Sequence, residues 1–156
     1  MSAKGARYPG DSATVEQVLR LAEAYRAATA MLLLQEPSGD GPTRAPCRLS
    51  AIHAIELYLD ALLLRSGHTA SSIREMGHDL AARTELAVAD GLCLRDRTAK
   101  HLAAMSSNKE YVTTRYDVEM SATLSQLNRL TATLEEVASK VTARCAAKAP
   151  AKIKAA

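Results

Sequence analysis

The chain has 156 residues, 47% of them hydrophobic, with no Phe, no Trp and five Tyr as its only aromatics. That length suits one domain whose core needs no metal or disulfide staple. The apolar content is mostly Ala and Leu, strong helix formers, while strand formers are thin, so the composition predicts an all-α protein and argues against a β-rich one. The net charge of +3 is carried by the ends: residues 140–156 hold five bases and no acid, whereas residues 12–139 hold 13 bases against 16 acids. The total therefore gives no support to a uniformly basic nucleic-acid-binding face. One stretch departs from this, Arg95 to Arg115, with five bases against Asp96 and Glu110.

Cys47, Cys93 and Cys145 are far apart and form no Cys-x-x-Cys pair, so they read as reduced, largely buried thiols. The first ten residues lack the apolar stretch of a signal peptide, and no run is long and apolar enough to span a bilayer. A cytoplasmic protein with no membrane association is expected.

Residues 1–11 read as a flexible N-terminus. Ser12 or Thr14 can cap a first helix, in which Val15, Val18, Leu19, Leu21, Ala22, Tyr25, Ala28 and Leu32 recur at three- and four-residue steps. Residues 37–42, Pro-Ser-Gly-Asp-Gly-Pro, predict a loop. A second helix should begin between Thr43 and Arg48, run to Arg65 and end at Gly67. It is apolar enough to be the central helix of a bundle. His68 to Met76 reads as an irregular connection with room for one helical turn. A third helix is expected from Gly77-His78-Asp79 to Gly91, turning Leu80, Ala81, Leu86 and Ala87 inward. A fourth follows Leu94 and bends at Ser106-Ser107-Asn108. The last begins near Met120 or Ser121 and carries Leu127, Leu130, Leu134, Val137 and Val141 inward. Residues 146–156 read as a basic disordered tail. The expected architecture is an antiparallel up-and-down bundle of four to five helices over residues 12–145.

Three constellations could carry chemistry. His53, Glu56 and Asp60 are three and four apart, hence on one face of the second helix, which is unusual for a helix that fills a core. A di-iron bundle would need two Glu-x-x-His pairs and further Glu residues, which this chain lacks, so neither a metal nor any other cofactor is expected. Asp79 near a helix start suits exposed backbone amides, and His78 can bond a neighbouring acid. Tyr111 and Arg115, at i and i+4, can present a hydroxyl and a guanidinium together, a pairing suited to a phosphate or a base. Nucleophilic catalysis has no motif behind it: there is no Gly-x-Ser-x-Gly and no glycine-rich phosphate loop.

Taken in order, the Ala51–Gly67 segment with Glu56 and its leucines, His78-Asp79-Leu80, Gly91-Leu92, and Tyr111 with Arg115-Tyr116 resemble the HEPN domain family over roughly residues 15–140. The resemblance implies a compact α-bundle, a homodimer, acting around nucleotide and RNA chemistry. Some members are metal-independent ribonuclease toxins with Arg-x(4–6)-His, and others accompany a nucleotidyltransferase. Arg95 to His101 formally satisfies Arg-x(5)-His. The family's nuclease motif would instead fall near Asn108 to Tyr116, where this chain has Lys109, Tyr111, Arg115 and Tyr116 but no histidine to act as general acid or base. On that alignment His101 is expected on the helix surface. The leading expectation is a non-catalytic or degenerate HEPN-like protein that binds a nucleotide, RNA or a nucleotidyltransferase-type partner. Its binding residues would be Glu56, His78, Asp79, Tyr111, Arg115 and Tyr116. A ribonuclease using Arg95 and His101 and a purely structural adaptor bundle are the alternatives.

Overall fold

The computed structural model describes residues 7–35, 44–119 and 125–147. Among these residues seven helices form one all-α bundle: α1 (Val15–Gln35), α2 (Ala45–Arg65), α3 (Ala70–Glu75), α4 (Leu80–Ala89), α5 (Asp96–Ser107), α6 (Glu110–Tyr116) and α7 (Leu127–Ala146). The loop expected at residues 37–42, the last helix's expected start near Met120 and the tail from Lys148 lie outside the described residues.

Local chemistry explains most of the boundaries. Thr14 and Gln17 cap α1 reciprocally, each side chain accepting from the other's backbone amide at 3.2 and 2.9 Å. Thr69 accepts from Ser72 N to start α3, and Asp79 accepts from Ala82 N to start α4. Gly67 ends α2 with φ +101. The helix expected after Leu94 breaks in two because Lys109 takes a left-handed conformation, φ 51, between α5 and α6. That break, together with the short α3, raises the number of helices above the four or five expected.

Central position falls to α2, which packs against α1, α3, α4, α6 and α7. Its Ile52, Ile55, Leu59, Leu62 and Leu63 are fully buried and meet Leu130, Leu134, Val137 and Val141 of α7 in one hydrophobic core. Three inward expectations fail: Leu21, Tyr25 and Leu86 are exposed, because α1 packs chiefly on α2 alone and α4 buries the stripe Leu80, Arg83, Thr84 and Ala87. Cys93 is exposed as well, since it lies in the extended link between α4 and α5. Residues 9–12 form turns; Asp11 pairs with the Arg74 guanidinium, and Tyr8, just before the turns, lies under it at 4.2 Å. No described helix is long and apolar enough to cross a membrane.

The end of α4 is pinned to α7. Arg144 Nη2 donates to Asp90 O at 2.9 Å, and a Cβ built on Gly91 (φ +104) would lie 2.7 Å from that same nitrogen. Gly91→Ala should therefore combine a strained φ with a displaced guanidinium, lowering stability by about 1–3 kcal/mol in urea denaturation. A loss below ~0.5 kcal/mol would show that Arg144 gives way freely.

Candidate functional site

The polar face of α2 meets α4 through one buried cation. Glu56 and Asp60 sit one turn apart, and Arg83, 2% exposed, reaches both. Its Nε donates to Asp60 Oδ1 at 2.6 Å, Nη2 lies 3.7 Å from Glu56 Oε1, and Nη1 donates to Asp79 O at 3.4 Å. Two carboxylates thus share one guanidinium. Burial pushes the Asp60 carboxyl up to about 6, against the pull of Arg83. Beside them, burial pushes the His53 imidazole down, so that ring is neutral at pH 7.

His78 connects this buried cluster to the surface. It follows Gly77, whose φ of +55 turns the chain sharply between α3 and α4. Its Nδ1 lies 3.2 Å from Glu56 Oε2, and its ring stacks on Tyr111 at 3.8 Å with planes 20° apart. The Tyr111 hydroxyl accepts from Arg115 Nη1 at 3.0 Å, as the i, i+4 spacing requires. The Arg115 guanidinium also lies 5.0 Å from the Tyr116 ring. Among the described residues no carboxylate pairs with Arg115. The result is a ledge running Glu56–His78–Tyr111–Arg115–Tyr116, buried at one end and open at the other. Its outer half lies on α6, separated from α2 by more than forty residues of chain.

Two concavities flank His78. A groove of about 1050 Å³ runs between α1, α2 and α3, with His53, Glu56, Asp60 and Arg83 facing it. A smaller hollow of about 270 Å³ lies on the other side, lined by Asp79, Ser106, Lys109 and Tyr111 among others.

Asp79 has a different place from the ledge. Its Oδ1 accepts from Ala82 N and from Ser106 Oγ at 2.7 Å, bonds that hold its pKa below the usual carboxylate range. It starts α4 and ties that helix to α5. The single Glu-x-x-His of the chain, Glu75 to His78, straddles the end of α3 instead of lying on one helical face. Among the described residues no group of three or more His, Cys, Asp or Glu side chains is placed to hold a metal ion.

Arg95 and His101 lie apart from the ledge, on the face of α5 toward α7. Arg95 precedes α5 with its side chain 83% exposed, its backbone amide donating to Glu136 at 2.9 Å. His101 is buried, not on the helix surface as expected, because Thr98, His101, Leu102 and Met105 form the stripe that α5 turns inward. Its Nδ1 bonds Thr133 Oγ1 at 2.6 Å, while Nε2 has no partner among the described residues. Burial, with a smaller push from Arg129, lowers its pKa to about 4.

That shift has a direct consequence. An imidazole held at about 4 when folded and near 6.5 when unfolded favours the folded state only while neutral. Its contribution is intact above pH 6.5 and is lost as pH falls toward 4, on the order of 2–3 kcal/mol across that window. Asp60 acts in the opposite sense, since its protonation below about 6 relieves a buried charge. His101→Gln should therefore lose distinctly less stability than the wild type between pH 7 and 4.5 in thermal melts. Equal losses in the two proteins would remove His101 as the cause.

Arg83 is the member of the cluster that the sequence reading passed over. A signal was available: two acids on an otherwise apolar helix need a cation at comparable depth. Leu80, Arg83, Thr84 and Ala87 step by three, one and three along the inward face of α4, and Arg83 is the one cation among them.

No family model matches the chain, and it matches neither a curated protein nor a solved structure.

Proposed function

We propose that this chain is a HEPN-like, cytoplasmic, homodimeric binding module, without catalytic activity of its own. It would take a nucleotide or single-stranded RNA at the His78–Tyr111–Arg115 ledge, either alone or beside a nucleotidyltransferase-type partner. The observation that carries this reading is the stacked His78–Tyr111 pair with a guanidinium at its edge that no described carboxylate neutralises. An aromatic surface accepts an unstacked base, and a free guanidinium binds a phosphate in bidentate fashion. Glu56, buried behind His78, fixes the imidazole through Nδ1 and so sets the plane of the stack.

Isothermal titration with nucleoside monophosphates and a short single-stranded RNA tests the reading. Arg115→Ala, at an exposed position, should weaken binding about tenfold or more and flatten its salt dependence. A wild-type protein that binds none of these ligands sinks it.

A second reading, a metal-independent ribonuclease using Arg95 and His101, has one observation behind it, the unpartnered Nε2 of His101. It requires RNA cleavage without metal that disappears in both Arg95→Ala and His101→Ala. Cleavage that persists in either variant, or is absent from the wild type, rules it out.

A further inference from the structure

Arg115 has two aromatic neighbours, not one. Its guanidinium carbon lies 5.2 Å from the centre of the Tyr111 ring and 5.0 Å from that of Tyr116. The two rings differ in their surroundings. Tyr111 is half-buried and backed by the His78 imidazole at 3.8 Å, whereas Tyr116, at the end of α6, is 69% exposed and takes no part in the hydrophobic core. Val112, one turn before Tyr116, is exposed too, so the pair leaves an apolar patch on the outer side of α6. The acid next in sequence, Asp117, accepts from Glu119 N at 2.9 Å.

Two aromatic surfaces flanking one cation match the repeat of a nucleic-acid strand, base–phosphate–base. We propose that the ledge takes a single-stranded dinucleotide step, with one base on the His78–Tyr111 stack, the phosphodiester on Arg115 and the next base on Tyr116. This rests on the reading of the ledge as a nucleotide-binding surface, and narrows its ligand from a mononucleotide to a strand. Five residues separate the two tyrosines, a rise of about 7.5 Å along α6, roughly twice the ~3.4 Å spacing of stacked bases. The two bases would therefore be held splayed, which a single strand permits and a duplex does not. Every base has a π-face, so the step would be taken with little regard to sequence.

Calorimetric titration of the full chain with uridylyl-uridine (UpU) and uridine monophosphate (UMP) at pH 7.5 tests the proposal. UMP carries about two negative charges and UpU one, so electrostatics alone would favour UMP. A second stack should reverse that order, with UpU bound about five- to a hundredfold more tightly. Tyr116→Ala, at a surface position, should bring the ratio of the two affinities to one or below, whereas Tyr116→Phe should preserve it. Arg115→Ala should weaken both ligands, because each offers a phosphate. The deoxy form of UpU should bind as UpU does, since none of the three contacts is to a sugar hydroxyl. UMP bound as tightly as UpU, a UpU preference that survives Tyr116→Ala, or one lost in the deoxy form would overturn the dinucleotide step while leaving the ledge a nucleotide site. Binding of neither UpU nor UMP overturns both.

Discussion

Arg83→Met should lower the unfolding free energy by about 3–5 kcal/mol near pH 7.5, the largest loss expected from any single substitution in this chain. The methionine fills similar space, so the loss measures electrostatics more than packing. Without the guanidinium between them, buried Glu56 (6% exposed) and half-buried Asp60 are left as neighbouring carboxylates. The Asp60 pKa, already raised by burial, must then rise further. A carboxyl whose folded pKa is raised costs stability above that pKa, and the cost fades as pH falls through it. The penalty should therefore shrink markedly between pH 7.5 and 5, by urea denaturation at each pH. A pH-independent loss would mean that Arg83 matters for its packing alone. Restoring neutrality, with Asp60→Leu and Glu56→Gln added to Arg83→Met, should recover much of the stability.

Glu110→Ala comes second, at about 2–4 kcal/mol. Glu110 is fully buried, and its two oxygens accept from Ser125 N at 2.7 Å and Ser125 Oγ at 2.9 Å. On the other side of that residue, Arg48 Nη1 donates to Ser125 O at 2.7 Å. The carboxylate thus ties α6 to the approach of α7, with α2 holding the same point through Arg48. Removing it leaves buried donors unmet. Glu110→Gln keeps one acceptor and should lose roughly half as much. Because Tyr111 is the next residue, Glu110→Ala should also weaken any ligand held at the ledge, even where the protein stays folded. A stable variant with unchanged thermal midpoint would show that water replaces the carboxylate at no cost.

The helices were largely legible in the chain because their signals are local. The Thr14 cap, the Arg65–Gly67 stop and the three-and-four spacing of Leu130, Leu134, Val137 and Val141 each depend on residues within one or two turns. The break between α5 and α6 falls beside the bend expected at Ser106-Ser107-Asn108, but the positive φ of Lys109 was not legible, since a left-handed non-glycine residue leaves no mark in composition. The candidate site divides in the same way. The Tyr111–Arg115 contact follows from spacing within one helix, whereas the His78–Tyr111 stack and the Arg83 ion pairs join residues 33 and 23 positions apart. Asp79 was legible as a cap, and its placement with the ligand-binding residues came from its neighbour His78. His101 was expected at the surface from the alignment with the HEPN pattern alone, yet α5 has four inward positions and fills one of them with that ring.

Among the residues of α1, only Ala22 and Thr29 are buried outright. Its grip on the rest of the molecule includes polar bonds near the surface: Arg26 to Glu135 of α7 at 2.6 Å, and Glu23 to the Tyr58 hydroxyl of α2. Bonds of this kind weaken in salt, while the burial of α2 against α7 does not. The two halves of the bundle should therefore respond differently to ionic strength, with α1 amides exchanging faster with solvent deuterium as salt rises and α2 amides holding their protection. Since α1 forms one wall of the large groove, a rise in salt should loosen that wall before it loosens the floor that α2 provides.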